Sequence, residues 1–225
     1  MSEQQVKGSK LPNVICTLQG ESDSLIVVGA HFDHSGQGAG VVDNWSGAGL
    51  LPSLFESLHK ELRKHTFVFV GFSDEEKGLV GSSYYVKQLK PDQTSKIRVM
   101  INLDSLGLGP TKIWLGRSEK KLAGALTGVA KSLGLPLQAI DGDQVGDEDS
   151  TPFRKRKVPA IVLHSITQET LSVLHSSKDT VSAVRMDDYY ETYRLISVYL
   201  AFLDGMAWEQ IEPQSERSPV PRKNT

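Results

Sequence analysis

The chain has 225 residues, of which 39% are hydrophobic and 23% charged, the make-up of a single globular domain and not of a collagen-like, low-complexity or wholly disordered chain. Lys and Arg number 25 against 27 Asp and Glu, for a formal net charge of -2, so neither nucleic acid nor an anionic membrane is offered a global attraction. The lone cysteine, Cys16, excludes an internal disulfide framework and a cysteine-based zinc finger.

Along the chain, residues 1–12 are polar and read as a loose arm. Asn13 to Leu18 has a short strand pattern, and the run LIVVGA from Leu25 to Ala30 is continuously apolar, as in a strand buried on both faces. Gly49 to Leu62 has helical spacing, with Pro52 tolerable in a first turn. Thr66 to Phe72 predicts a second buried strand, Ser82 to Leu89 a helix, and Lys96 to Leu103 a third strand. A short strand at Lys112–Leu115, a helix at Ser118–Leu133 stopped by Gly134, a strand at Pro159–Leu163 and a last helix from about Asp187 to Trp208 complete the pattern. Strands alternating with helices predict an α/β fold, a mixed but mainly parallel sheet with helices on both faces. One domain is expected over residues 13–210, with flexible termini at 1–12 and 211–225. No run of about 18 apolar residues and no signal-peptide pattern is found, so a chain complete at Met1 is expected to stay where it is made.

In such a sheet, ligands bind beyond the carboxyl ends of the strands. The first core strand ends in His31 and Asp33, the second in Asp74, Glu75 and Glu76, the third in Asp104, and a glycine-rich loop holds Asp43 before a helix. One imidazole among several carboxylates suits Zn²⁺ or a similar divalent ion, in an open catalytic site. So many carboxylates at one rim predict two ions sharing one of them, and Asp43, in a loop whose glycines permit close approach, is the expected bridge. Of the adjacent Glu75 and Glu76, which leave an extended chain in opposite directions, one is expected to bind metal and the other to move protons. Asp33 is placed to fix the His31 tautomer.

Five segments in order, VGAHFDH, GVVDNWSGAGLL, FVGFSDEEKGLVGSSYYV, INLDSLG and LHSSKDTVSAV, resemble the co-catalytic di-zinc aminopeptidases of metallopeptidase family twenty-eight, and they cover most of the chain from Asn13 to the last helix. The resemblance implies a zinc-exopeptidase fold, two zinc ions per chain and peptide substrates. It implies that His31 and Asp104 are terminal ligands of one zinc, Glu76 and His175 those of the other, Asp43 the bridge, Glu75 the general base and Asp33 the partner of His31. The segment from Asp149 to Leu163 is similar to the one preceding the family's late strand. The chain departs from the family in two ways. Little precedes Asn13, as in a fragment or an incomplete gene model, where relatives are often exported. Leu174 stands where some relatives carry a tyrosine that assists the oxyanion.

Plainer readings exist for each residue. Asp43 could cap a helix, although Asn44 or Ser46 can do so instead; Asp74 reads as a solvated turn acid. His34 and His164 read as groups at the edge of the site or core, with His164 the substitute should His175 fail, while His59 and His65 read as surface residues. The run RKRK from Arg154 to Lys157 is most simply a solvated face, and Trp45 could line a pocket or pack beneath its loop. Two rival functions are a glutaminyl cyclase, which uses a single zinc on the same scaffold, and a catalytically silent binding domain.

Overall fold

The structure, a computed structural model, describes residues 1–140, 146–206 and 208. Eight strands form one sheet: β1 (Ser2–Gln4), β2 (Asn13–Leu18), β3 (Leu25–His31), β4 (Thr66–Phe72), β5 (Ile97–Leu103), β6 (Lys112–Trp114), β7 (Gln138–Ile140) and β8 (Ala160–His164). The helices are α1 (Ser46–Leu58), α2 (Val80–Gln88), α3 (Pro91–Lys96), α4 (Lys120–Leu133), α5 (Thr151–Lys155) and α6 (Met186–Asp204). The strand order is β1-β2-β4-β3-β5-β8-β6-β7. The central β4, β3, β5 and β8 run parallel, β2 and β6 pair antiparallel with β4 and β8, and the α/β fold is mixed and mainly parallel as the pattern predicts.

Alternation along the central strands divides the core in two. Ile26, Val28, Phe67, Phe69, Ile101 and Leu103 face α1, α4 and α6, whereas Val27, Val70, Phe72 and Met100 face α2 and α5. Both faces are covered, which is why these strands read as unbroken apolar runs. From β3 the chain passes through α1 to β4 on one side, then through α2 and α3 to β5 on the other. The carboxyl end of β3 is therefore a topological switch point, where a crevice must open.

Several expectations need correction. Residues 1–12 do not form a loose arm throughout: Ser2–Gln4 pair antiparallel with Asn13–Ile15, and Val6 is buried. An edge strand presents unpaired N–H and C=O groups, and here the preceding segment satisfies them. The first helix starts earlier than expected, so Pro52 lies beyond the first turn, and it ends at Leu58 because the chain must turn into β4, leaving Leu62 94% exposed. The last helix stops at Asp204, whose carboxylate accepts the backbone N–H groups of Lys64 and His65. Residues 211–225 lie outside the described residues.

Candidate metal centre

The parallel register of β4, β3 and β5 sets their carboxyl ends side by side. His31 is the last residue of β3, Asp104 follows β5, and Glu75 and Glu76 occupy the turn after β4. Asp43 sits in an irregular turn, Val41–Trp45, with non-helical backbone at Asp43 and Asn44. His175 comes from far along the sequence, held at φ 53°, a left-handed conformation that costs a non-glycine residue about 1–3 kcal/mol and persists only where its surroundings enforce it.

These side chains meet. His31 Nε2 lies 3.2 Å from Asp43 Oδ1 and 4.0 Å from Asp104 Oδ1. His175 Nε2 lies 3.0 Å from Asp43 Oδ2 and 3.1 Å from Glu76 Oε1. The result is two triads, His31–Asp43–Asp104 and Asp43–Glu76–His175, each with donor atoms within 4.8 Å of one another. Asp43 belongs to both and offers one oxygen to each. His31 Nδ1 lies 3.1 Å from the carbonyl oxygen of Asp33 and 3.5 Å from its Oδ1; both are acceptors, so Nδ1 carries a proton and Nε2 is the nitrogen turned toward the triad. Glu76 Oε1 is buried, with the His175 imidazole as a near polar neighbour. Two imidazoles and three carboxylates, with one carboxylate shared between two triads, fit a pair of borderline divalent cations.

Electrostatics follow from this crowding. Burial raises the Glu75 carboxyl to about 9, with Asp149, Asp104 and Asp43 adding to it against His31. Burial likewise lifts Asp104 to about 6 and raises Glu76, on which Asp43 also acts. Burial alone would lower the His31 imidazole, yet its contacts with Asp33, Asp43 and Asp104 outweigh that and hold it well above the usual range. The contact with Asp43 lifts His175 to about 9. A cluster that can lower its energy only by holding extra protons is one that cations stabilise.

The Asp33 carboxylate has a wider role than orienting His31. Its two oxygens accept the backbone N–H groups of Glu75 at 2.9 Å and Glu76 at 3.2 Å, so one side chain fixes the turn carrying both glutamates. Sequence reasoning missed other organising groups. Buried Asp179 accepts the N–H of Val42 at 2.6 Å and of Asp43 at 3.1 Å, and its carbonyl accepts Ala39 N–H, tying the Asp43 turn to the His175 loop. Asn44, anticipated as a helix cap, does accept the N–H of Gly47 through Oδ1 and accepts that of Ser105 as well, while its Nδ2 donates to the carbonyl of Leu103. Asp149, 1% exposed, is raised by burial to about 7 against the opposing pull of His31 and the Ser82 hydroxyl. Only its position in the acidic run before Pro152 could have signalled it.

The remaining candidates separate cleanly. Asp74 is buried, not solvated, and pairs with Lys77 at 2.8 Å. His34 is exposed in a turn, accepting Gly36 N–H. His164 lines the site cavity, kept neutral because burial lowers it to about 4. His65 is half-buried against Asp204 at 3.2 Å and so is not a plain surface residue. Trp45 is half exposed and borders a separate apolar pocket with Phe32 and Phe55. The site cavity itself, about 470 Å³, is walled on one side by Trp114, Ile166, Leu171 and Leu174. No tyrosine lines it among the described residues.

Comparison with known proteins gives the family. Residues 13–200 match the model of Peptidase family M28. The chain belongs to peptidase family M28. An aminopeptidase of Pseudomonas aeruginosa is 35% identical over 102 residues, 45% of this chain and 19% of that protein. A zinc aminopeptidase of Bacillus subtilis superposes with a TM-score of 0.78 at 20% identity, covering 86% of this chain and 50% of that one. A glutaminyl cyclase from an Acidobacteriales bacterium superposes with a TM-score of 0.74 at 18% identity, over 91% and 78% of the two chains. This M28 chain thus spans half or less of the first two, and no described helix is long and apolar enough to cross a membrane.

Proposed function

We propose that this M28 chain is a zinc-dependent aminopeptidase that removes the N-terminal residue of peptides. The observation that carries the reading is the single carboxylate, Asp43, shared between two His-carboxylate triads. His31 and Asp104 would hold one zinc, His175 and Glu76 the other, with Asp43 bridging them. Two zinc ions, when bound, supply Lewis acidity to the scissile carbonyl and acidify water.

Glu75 lines the cavity without belonging to either triad, which leaves its carboxylate available for proton work. It takes a proton from the attacking water and returns it to the departing amine nitrogen. Asp33 holds Glu75 at its backbone, so the base and the ligand Glu76 are positioned by the same pair of hydrogen bonds. Trp114, Ile166, Leu171 and Leu174 form an apolar wall suited to an uncharged, apolar first side chain.

The test is zinc stoichiometry together with product analysis. The reading expects two zinc ions per chain, release of free leucine from a leucyl peptide, and loss of activity on chelation with recovery on adding zinc. A single zinc, with conversion of an N-terminal glutaminyl peptide to its cyclised form, would instead establish the cyclase. Full metal loading with neither activity would make the chain a silent binding domain.

A further inference from the structure

A second concave site lies at the opposite end of the sheet from the metal centre, where β5 and β8 begin. It measures about 620 Å³, within the roughly 300–1,000 Å³ of small-molecule pockets. Four of its lining residues are cationic, Arg98, Lys155, Arg156 and Lys157, and among the described residues none of the lining is acidic. The basic run of the sequence divides here. Arg154 turns inward to Glu148 at 3.2 Å, whereas the next three side chains are exposed at the mouth of the pocket.

Among the described residues none of these four cations has a carboxylate within 4 Å, although Asp23 acts on Arg98 at longer range. Arg98 donates only to Ser24 Oγ and Arg156 only to the carbonyl of Leu89, neutral acceptors that orient the guanidinium groups without discharging them. The lining between the cations is apolar, from Pro91, Ile97, Pro159 and Trp208. Trp208 is 8% exposed, and its Nε1 has no hydrogen-bond partner among the described residues.

Uncompensated like charges held around one concavity repel each other and are stabilised by an anion, most strongly by phosphate oxygens that accept from several donors at once. With a net charge of -2 the chain as a whole offers extended polyanions no attraction, so the attraction is local and has the dimensions of a small molecule. We propose that this pocket binds an organic polyphosphate of the nucleotide class, its phosphates on Arg98, Lys155, Arg156 and Lys157 and its flat body against the apolar lining of Pro91 and Pro159. The site is independent of the peptidase reading, since it shares no residue with the metal centre.

Calorimetric titration of the zinc-loaded chain with magnesium-saturated ATP tests this, with inorganic triphosphate and adenosine as comparison ligands. Saturable ATP binding is expected, weakening as salt is raised, and weaker still for triphosphate and adenosine. The combined substitution Lys155→Ser, Lys157→Ser should lower ATP affinity at least about tenfold, with leucyl-peptide hydrolysis and melting temperature unchanged. Arg98→Ser should lower it independently. Absence of saturable ATP binding at millimolar concentration, or equal affinity in the substituted chains, would overturn the site. Triphosphate binding as tightly as ATP would overturn the assignment to nucleotides.

Discussion

At the residue scale, the centre depends on carboxylates that each do two things. Asp43 reaches toward two imidazoles, and Asp33 toward two backbone amides. Glu75 differs, since its carboxylate stands outside both triads. Glu75→Gln should therefore retain two zinc ions yet lower kcat roughly 10²- to 10⁴-fold; wild-type turnover in a fully loaded variant would remove Glu75 from the proton path. Asp179 tests positioning without ligation. In Asp179→Asn one of the two N–H groups faces an amide NH₂ in place of an acceptor, leaving a buried donor unmatched at about 1–3 kcal/mol. Zinc affinity should fall on the order of 10- to 100-fold, as for other groups that support ligands. A competition titration with a chromogenic chelator measures it, and unchanged affinity would show that the Asp43 turn holds itself. These residues also mark where the sequence is legible. His31, Asp43, Glu75 and Glu76 are readable because strand ends and glycine loops announce themselves locally. His175 is legible only through the family resemblance and Asp179 not at all, because their value lies in contacts with residues far away in the chain.

At the element scale, the decisive fit is the approach of α1 to the sheet. Gly47 stands where an added Cβ would come within 2.5 Å of Asn44 Oδ1 and 2.6 Å of the Leu103 carbonyl. Both atoms belong to the bracing that joins the Asp43 turn to the Asp104 end of β5. Gly47→Ala should thus cost about 1–3 kcal/mol by overpacking, visible as a lower melting temperature, and should weaken zinc binding as well. Gly124→Ala on α4, where a Cβ meets nothing within 4 Å, is the control and should be neutral or slightly stabilising. An equal effect of the two would mean that only helix propensity is at stake. The central strands were readable to within a residue or two because burial on both faces leaves no ambiguity in their composition. The short elements were not: β1 and β7 have three residues each, and both exist because a neighbouring strand offers hydrogen bonds to a segment with no pattern of its own.

At the scale of the whole molecule, the metal centre makes stability depend on pH in a direction set by its crowding. Without zinc, the folded chain holds protons that the unfolded chain releases. Glu75 titrates at about 9 in place of 4.5, Asp149 at about 7 and Asp104 at about 6 in place of 3.8, and His175 at about 9 in place of 6.5. Each folded-state value is raised, so each contribution is complete below the unfolded value and is lost as pH climbs through the folded one. Asp33 and Asp43 are shifted the other way, and their contributions are already complete by about pH 5; His164, lowered to about 4 from 6.5, opposes the trend up to about pH 6.5 with one proton, fewer than Glu75, Asp149 and Asp104 hold together. The melting temperature of the zinc-stripped chain should therefore fall steadily between about pH 5 and 9. Zinc takes the place of those protons, so its binding strengthens as pH rises, and the gap between loaded and stripped chains should widen over the same range. Scanning calorimetry of pre-loaded and chelator-treated protein measures both curves. A stripped chain whose melting temperature stays level or climbs across that interval would show that the carboxylates and imidazoles are not held as one proton-sharing cluster, and the argument for a pair of cations between them would lose its electrostatic basis.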